Sequence, residues 1–279
     1  MANVFITGTS SGIGEDAALR LDRLGHRVFA GVRQAADGER LAARASDRLV
    51  PVICDVVDEE SVEAAVRQVD AATGTAGLQG LVNNAGVARA GPLEHLPLDE
   101  WRSQLDVNVI GQVAVTRAAI PLLRRGGGRI CFVGSVSGRL GSALMGPYVG
   151  SKFAIEGIAQ CVREELHPWD IAVSVVEPGP VKTPIWEKGR AYAADLEARL
   201  GPEALAQYRE QVEAAKKGVD TNERIGVPAA KVSDVIVHAL FDPRPKHRYL
   251  VGAPARIAGP LTRFLPDKAL GRLMRAMGP

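Results

Sequence analysis

The sequence predicts an α/β fold, a doubly wound parallel sheet with helices on both faces. Short apolar segments alternate with longer amphipathic segments along the 279 residues. A glycine-rich turn separates the first apolar segment from the first helical pattern. Such alternation requires right-handed crossovers, which place helices on both faces of a parallel sheet. We therefore expect a single domain with a Rossmann-like architecture.

The strands are expected in the apolar segments and the helices between them. The strand segments are 4–7, 27–32, 49–55, 80–83, 129–135, 171–177 and 248–251. Helical patterns include 12–24, 58–72, 98–123 and 148–166. Three consecutive glycines at 126–128 should end the third of these helices before the fifth strand begins.

Residues 184–226 depart from the alternation, because they are charged, alanine-rich and helical in pattern. They follow the sixth strand, and open α/β sheets bind ligands at the carboxyl ends of their strands. We interpret them as a mobile helical cover over the substrate, with a surface excursion as the alternative. Residues 1–252 then form the dinucleotide-binding and catalytic domain. Residues 253–279 form a tail packed on it, although this basic, apolar tail could also lie on a membrane surface, close the pocket or mediate oligomer contacts.

Composition excludes several function classes. The net charge of +2 gives no electrostatic case for nucleic acid, and no apolar stretch is long enough to span a membrane. Three cysteines without motif spacing and the absence of a signal-peptide pattern favour a cytoplasmic protein with reduced thiols. The five histidines show no metal-ligand spacing, so no metal site is expected.

The turn after the first strand has the pattern of a phosphate cradle. Glycines let the backbone approach a pyrophosphate, and the helix N-terminus offers free N–H groups. The cradle residues are Gly8, Ser10, Ser11, Gly12, Ile13 and Gly14. The second strand ends at Val32-Arg33 without a carboxylate, and an arginine can bind a 2′-phosphate. NADP(H) is therefore favoured over NAD(H), although Arg33 could be merely solvated.

The pair Tyr148 and Lys152 points to proton transfer. Four residues apart on a helix, the two side chains share a face. An ammonium about 5 Å from a phenol is worth about 3 kcal/mol at an effective dielectric near 20, so Lys152 should lower the pKa of Tyr148. Ser135 lies upstream and could hydrogen-bond the substrate oxygen, with Ser137 as the alternative hydroxyl.

Together, these residues resemble the short-chain dehydrogenase/reductase family in its compact single-domain form. The likeness covers about 3–251 and rests on the loop 7–14, Asp55, the run Asn83-Asn84-Ala85-Gly86, Asn108, Ser135, Tyr148, Lys152, Pro178-Gly179 and Thr183. It implies a catalytic set of Asn108, Ser135, Tyr148 and Lys152, in which Asn108 holds a relay water. Tyr148 and Lys152 also contact the cofactor, and the other implied cofactor residues are Asp55, Val56, Asn83, Ala85, Gly86, Pro178, Gly179, Val181 and Thr183.

Each of these residues also has a structural interpretation; Asp55, for example, could cap the helix that begins near Asp58. The resemblance implies an NAD(P)(H)-dependent oxidoreductase that interconverts a secondary or primary alcohol and its ketone or aldehyde. It also implies a homodimer or homotetramer formed through the helices 98–123 and 148–166. The alternatives are a 3-oxoacyl thioester reductase and a non-catalytic dinucleotide-sensing protein. The expected substrate contacts are Ser135, Leu144, Met145, Tyr148 and Trp186, and the apolar members of this set favour a hydrophobic substrate.

Overall fold

The structure is a computed structural model that describes residues 1–266, 268–269 and 271–272. The strands are β1 (Asn3–Ile6), β2 (Arg27–Val32), β3 (Leu49–Ile53), β4 (Gly80–Asn83), β5 (Arg129–Val133), β6 (Val173–Pro178), β7 (Val181–Lys182), β8 (Val227–Pro228) and β9 (Arg248–Val251). The helices are α1 (Gly12–Arg23), α2 (Ala35–Ala42), α3 (Glu59–Thr73), α4 (Leu98–Leu105), α5 (Gly111–Gly126), α6 (Gly146–Leu166), α7 (Ile185–Gln207), α8 (Arg209–Ile225), α9 (Ala229–Phe241) and α10 (Ala253–Phe264).

The central sheet is parallel and doubly wound, as predicted. Within the described residues it has seven strands in the order β3-β2-β1-β4-β5-β6-β9, while β7 and β8 form a separate parallel pair. The order reverses direction at β1 and β4, which is the switch point where such sheets bind ligands. The loops after β1, β4, β5 and β6 therefore open at one edge of the sheet.

Two apolar layers cover the sheet, one on each face. Side chains of adjacent strand residues point to opposite faces, so Phe5 belongs to one layer while Val4 and Ile6 belong to the other. Residues of α3, α5 and α6 complete the first layer, and residues of α1 and α9 complete the second. This burial explains why the strand segments are almost continuously apolar.

The predicted helix 98–123 is divided into two helices. A π-helical turn at Asp106–Ile110 joins α4 to α5, and Asn108 lies within that turn. Such turns widen a helix locally and often occur at functional sites. The glycine run ends α5 as expected, since Gly127 adopts the left-handed conformation with φ of 58°.

Residues 184–226 are helical, as predicted, and form α7 and α8. Gly201 interrupts α7 with φ of 77° and ψ of 171°. Glycine adopts this backbone conformation readily because it has no Cβ. Leu196 of α7 is buried, and Arg199 donates to Glu100 at 2.6 Å. A Cβ on Gly91 would lie 2.9 Å from Leu196, so α7 lies against α4 and the segment before it.

The described part of the C-terminal tail contacts β9. Ala255 of α10 is fully buried, and a side chain on Gly259 would lie 2.9 Å from Leu250. The remaining predictions for the tail concern residues 267, 270 and 273–279, which lie outside the described residues. Among the helices the structure describes, none is both long enough and apolar enough to cross a bilayer.

Candidate active site

The glycine turn after β1 is held in a shape that side chains would obstruct. Gly8 and Gly12 have positive φ, 69° and 67°. A Cβ on Gly8 would lie 2.7 Å from Ala85 Cα, and one on Gly14 would lie 2.3 Å from both Gly8 O and Asn84 Nδ2. Only glycine fits this close approach of the β1 and β4 loops.

The N-terminus of α1 opens onto this turn, where Ser10, Ser11 and Ile13 are partly buried. Ser11 is the N-cap residue, and its side chain makes no capping hydrogen bond. The first N–H groups of the helix can therefore bind an anion. Across the turn, Thr183 faces Gly12, since a Cβ on Gly12 would lie 3.2 Å from Thr183 Cβ. The cradle and the loop after β6 thus lie next to each other.

Side chains of the β1 and β4 loops fasten these loops together. Thr7 Oγ1 accepts hydrogen bonds from the N–H groups of Asn84 and Ala85, both at 3.1 Å. Asn84 Nδ2 donates to the carbonyls of Thr7 and Gly8, both at 2.9 Å. Asn84 and Thr7 therefore shape the cradle, a role the sequence interpretation did not give them. Their spacing alone carries no signal, because they meet only when β1 and β4 pair.

Asn83 has a buried side chain whose Nδ2 donates to Thr116 Oγ1 of α5 at 2.8 Å. Its Oδ1 is buried without a hydrogen-bond partner among the described residues. Because this side chain is buried and bonded to Thr116, only the backbone of Asn83 is left for the predicted contact with the cofactor. Gly86 follows beside the π-turn, since a Cβ on Gly86 would lie 3.4 Å from Asn108 Oδ1.

Asp55 and Val56 follow β3. The alternative interpretation of Asp55 as the cap of α3 is wrong, because Asp58 is the cap and accepts from the N–H groups of Glu60 and Ser61. The carboxylate of half-buried Asp55 accepts from Val57 N–H at 3.2 Å. Val56 packs beside the start of α5, where a Cβ on Gly111 would lie 2.8 Å from its carbonyl oxygen.

Ser135, Tyr148 and Lys152 come together as the sequence predicts. The Lys152 Nζ lies 5.7 Å from the centroid of the Tyr148 ring, and it donates to Val133 O at the end of β5 at 2.9 Å. Ser135 is buried and accepts from Ser137 N–H at 3.1 Å, and its hydroxyl lies near enough to the phenol of Tyr148 to lower the pKa of that phenol. Of the two candidate hydroxyls, Ser135 and not Ser137 is the one that acts on the pKa of Tyr148.

The pKa of Tyr148 moves opposite to the expected direction. Burial raises this pKa above its ordinary value of 10.0, and the hydrogen bond with Ser135 opposes the increase. Burial also lowers the pKa of Lys152 from 10.5 to about 8. The predicted lowering of the Tyr148 pKa is therefore not seen in this structure, in which desolvation is the largest influence on the phenol.

Asn108 belongs to a buried amide network. Its Oδ1 accepts from Val87 N–H at 2.8 Å, and its Nδ2 donates to Val87 O at 3.0 Å and to Ser151 Oγ at 3.2 Å. Ser151 in turn donates to Tyr148 O at 2.7 Å. Gln104, one turn earlier in α4, joins the same network and was missed from the sequence. The signal for Gln104 was available: it is a polar residue four positions before Asn108 on the buried face of a helix.

Two basic side chains follow β2 in the chain. Arg33 is exposed. Arg40 of α2 donates to Ser10 O and to Asp37 Oδ1, both at 2.6 Å. The sequence interpretation missed Arg40, because only the crossover through α2 brings it back to the glycine turn.

The loop after β6 and the start of α7 hold the last predicted residues. Pro178 ends β6, and Gly179 N–H donates to Val251 O at 2.9 Å. Val181 is buried, and its carbonyl accepts from Trp186 Nε1 at 2.7 Å. The indole of Trp186 thus fastens α7 to this loop.

Leu144 and Met145 lie between the Ser135 turn and α6, and both are half-buried. Leu144 has a left-handed φ of 66°, which is strained for a branched residue. Its carbonyl accepts from Gly91 N–H at 2.7 Å. This hydrogen bond joins the loop after β5 to the loop after β4.

Known proteins share this architecture. The family described as short chain dehydrogenase matches residues 2–193. The chain is 33% identical over 279 residues to the NADPH-dependent 3-dehydrocapnine reductase of Ornithobacterium rhinotracheale, covering 98% of this chain and 96% of that protein. It is 37% identical over 273 residues to retinol dehydrogenase 5 of Homo sapiens, covering 95% and 85%.

Solved structures agree with these relatives. The crystal structure of a short chain dehydrogenase from Burkholderia cenocepacia J2315 in complex with NADP has a TM-score of 0.76 and 25% identity, covering 98% of this chain and 97% of that one. The chain therefore belongs to the short-chain dehydrogenase family and is an NAD(P)-dependent oxidoreductase that interconverts an alcohol and its carbonyl compound.

Proposed function

We propose that this enzyme uses NADP(H) to interconvert an apolar alcohol and its ketone or aldehyde, with Tyr148 as the group that exchanges the proton. The observation that carries the proposal is that buried Ser135 and Lys152 meet half-buried Tyr148 in a chain that also has the glycine cradle. The nicotinamide dinucleotide, when bound, supplies or accepts the hydride. The protein supplies orientation, water exclusion and the proton.

Tyr148 is suited to give a proton to a carbonyl oxygen. Burial raises its pKa, so the phenol is protonated at neutral pH and has a proton to give to the carbonyl oxygen of the substrate. Ser135 donates a hydrogen bond to the same oxygen and stabilises the charge that develops there. In the reverse direction, Tyr148 starts as the phenolate and takes the proton of the alcohol, which restores the neutral phenol.

Lys152 and Asn108 complete the proposed catalytic set. The Lys152 ammonium is anchored on Val133 O, from where it stabilises the phenolate left after proton transfer. Its Nζ also has donors for the nicotinamide ribose hydroxyls. Asn108 orders the segment beside this ammonium, where we place the relay water. Cradle residues and the loop 178–183 would hold the pyrophosphate and carboxamide.

Two arginines support the preference for NADP(H). Arg33 ends β2 where an acidic residue would favour NAD, and Arg40 reaches Ser10 of the cradle from α2. We expect Arg33→Ala and Arg40→Ala each to weaken binding of NADP⁺ about tenfold or more and to leave NAD⁺ binding nearly unchanged. Calorimetric titration of both dinucleotides measures this, and equal losses for the two would refute the assignment.

An apolar substrate is supported by the side chains around the reacting groups. Leu140 is buried and Leu144 and Met145 are half-buried next to the Ser135 turn. Human retinol dehydrogenase 5 is named for an apolar alcohol, which agrees with this setting. Neither alternative, the thioester reductase or the non-catalytic sensor, is favoured by the relatives.

The decisive experiment follows cofactor absorbance with a panel of carbonyl probes. The panel contains all-trans-retinal, a steroid ketone and a long-chain aliphatic ketone, each with NADPH and NADH. We expect the wild-type enzyme to turn over at least one probe with NADPH. Tyr148→Phe should abolish that turnover while cofactor binding, measured by titration, survives. Turnover retained by Tyr148→Phe would reject the assignment of Tyr148.

We also propose that the enzyme works in the cytoplasm as a homodimer or homotetramer. The three cysteines, Cys54, Cys131 and Cys161, are free, which is consistent with a reducing compartment. Exposed apolar side chains on α5 and α6 support self-association and are taken up in the Discussion.

A further inference from the structure

Gln104 makes a set of hydrogen bonds that the proposed chemistry leaves unused. Its side chain in α4 is fully buried. Its Oε1 accepts from Arg89 N–H at 2.6 Å, and its Nε2 donates to Val87 O at 2.9 Å and to Ser151 Oγ at 3.4 Å. A buried amide is costly unless it is paired, and here both the oxygen and the nitrogen are paired.

These bonds support a segment that has no strand partner. Residues 87–89 follow β4 as irregular backbone, so their polar groups must be satisfied by side chains. Asn108 serves both backbone groups of Val87, and Gln104 serves Val87 O and Arg89 N–H. The side-chain amides of Gln104 and Asn108, one helical turn apart, thus bind the backbone of this segment in the way that a neighbouring strand would.

The Gln104 amide nitrogen also donates to α6, the helix that carries Tyr148 and Lys152. Ser151, which Gln104 contacts, directly precedes Lys152 and donates to Tyr148 O at 2.7 Å. Ser151 is itself fully buried. A displacement of Gln104 would therefore disturb the hydrogen bonds of Ser151 in the turn of α6 that carries both Tyr148 and Lys152.

Arg89 extends the same connection to the cover. Its guanidinium lies 4.8 Å from the centroid of the Tyr192 ring of α7, and its Nε lies 3.3 Å from Glu100 Oε2. Glu100 also accepts from Arg199 of α7. Arg89, whose backbone N–H is bound by Gln104, thus provides one of the contacts that hold α7.

We propose that Gln104 is a positioning residue for the reaction, which holds the segment 87–89 and the docked helix α7 in register with the Tyr148–Lys152 turn of α6. This inference rests on the proposed role of Tyr148. It assigns Gln104 no contact with substrate or cofactor.

Two replacements separate positioning from packing. Gln104→Leu keeps much of the volume but removes all three hydrogen bonds, and we expect kcat to fall about tenfold. Gln104→Glu keeps the acceptor for Arg89 N–H but regains a donor only when the carboxyl is protonated. A buried carboxyl has a raised pKa. The kcat ratio of Gln104→Glu to wild type should therefore rise toward one as the pH falls.

The assay uses NADPH and the carbonyl probe of the panel that the wild-type enzyme turns over fastest, at saturating concentrations. A pH-independent ratio for Gln104→Glu, or wild-type kcat for Gln104→Leu, would overturn the proposal. Hydrogen exchange of a peptide spanning 86–92 gives a readout without turnover. Exchange in that peptide should be faster in Gln104→Leu and close to wild type in Gln104→Glu, and unchanged exchange in both variants would also overturn it.

Gln112 provides a matched control. It is a buried glutamine in α5 whose Nε2 donates to Ala85 O at 3.1 Å. Gln112→Glu should show its pH effect in the KM for the dinucleotide, and the kcat ratio should stay flat. The same rise of kcat at low pH in both glutamate variants would refute a specific role for Gln104. Tyr148→Phe is measured alongside. If Tyr148→Phe stays active, the proposed function is refuted. If Tyr148→Phe is inactive but the Gln104 variants keep the kcat of the wild-type enzyme, only the inference about Gln104 is refuted.

Discussion

At the scale of single residues, the site is governed by desolvation. Tyr148 and Lys152 lie close enough to interact, yet burial pushes each toward its neutral form, which raises one pKa and lowers the other. The sequence shows the spacing that brings the pair together, but it does not show how much water surrounds them. The expectation of an acidic phenol was wrong for this reason.

The lowered pKa of Lys152 predicts a stability effect with a defined sign. Between pH 8 and 10.5 the unfolded chain binds the proton more tightly than the folded protein, so the free energy of unfolding rises with pH across this window. Below pH 8 the buried ammonium costs roughly 3 kcal/mol. Lys152→Met should therefore gain stability relative to wild type below pH 8, and this gain should shrink as the pH approaches 10.5.

Urea denaturation at a series of pH values measures the difference between the two proteins. Lys231→Met, which changes an exposed lysine of α9, is the control and should give a difference that does not vary with pH. A pH-independent difference for Lys152→Met as well would contradict the burial of the charge.

At the scale of elements, the turn that carries Ser135 is tied to β6 by a buried ion pair. Arg139, which follows this turn, binds the fully buried carboxylate of Glu177 in a fork, with Nη2 donating to Oε1 at 2.8 Å. Arg248 of β9 joins Glu177 to Glu156 of α6, donating to Glu156 at 2.7 Å. These charged side chains thus join four elements: the turn after β5, β6, β9 and α6.

Glu177→Gln tests this arrangement. The isosteric change leaves Arg139 without its counter-charge, and breaking one partner of a buried pair should lower the free energy of unfolding by about 3 kcal/mol. Glu63→Gln breaks the exposed pair of Glu63 with Arg67 in α3 and should cost less than about 1 kcal/mol. Denaturant unfolding of both variants decides the matter, and losses of equal size would contradict a stabilising role for the buried pair.

At the scale of the whole molecule, the sequence predicts the sheet, the helical character of 184–226 and the proximity of Tyr148 and Lys152, because each depends on local pattern or fixed spacing. It does not predict Thr7 with Asn84, Arg40 with Ser10, or Gln104 with Arg89. These contacts join residues that are far apart or on different elements, and only the strand order and the crossovers bring them together. The π-turn at Asn108 was also missed, because an apolar periodicity of helical type does not reveal one inserted residue.

Self-association is the remaining prediction at this scale. Ile110, Val113 and Phe153 are exposed apolar side chains, at 60%, 38% and 46%, on the segments expected to form the interface. Exposed apolar side chains of this kind are typical of faces that bind another protein. Phe153→Glu would bury a charge in such an interface, so it should convert the oligomer to monomers.

Light scattering after size-exclusion chromatography measures the mass of each variant at the same concentration. Leu24→Glu is the matched control, because Leu24 is 52% exposed at the end of α1, away from these segments. It should leave the mass of the wild-type oligomer unchanged, since an acidic side chain on a solvated surface has no partner to displace. A monomeric wild-type protein, or an oligomer that survives Phe153→Glu, would place the interface elsewhere or remove it.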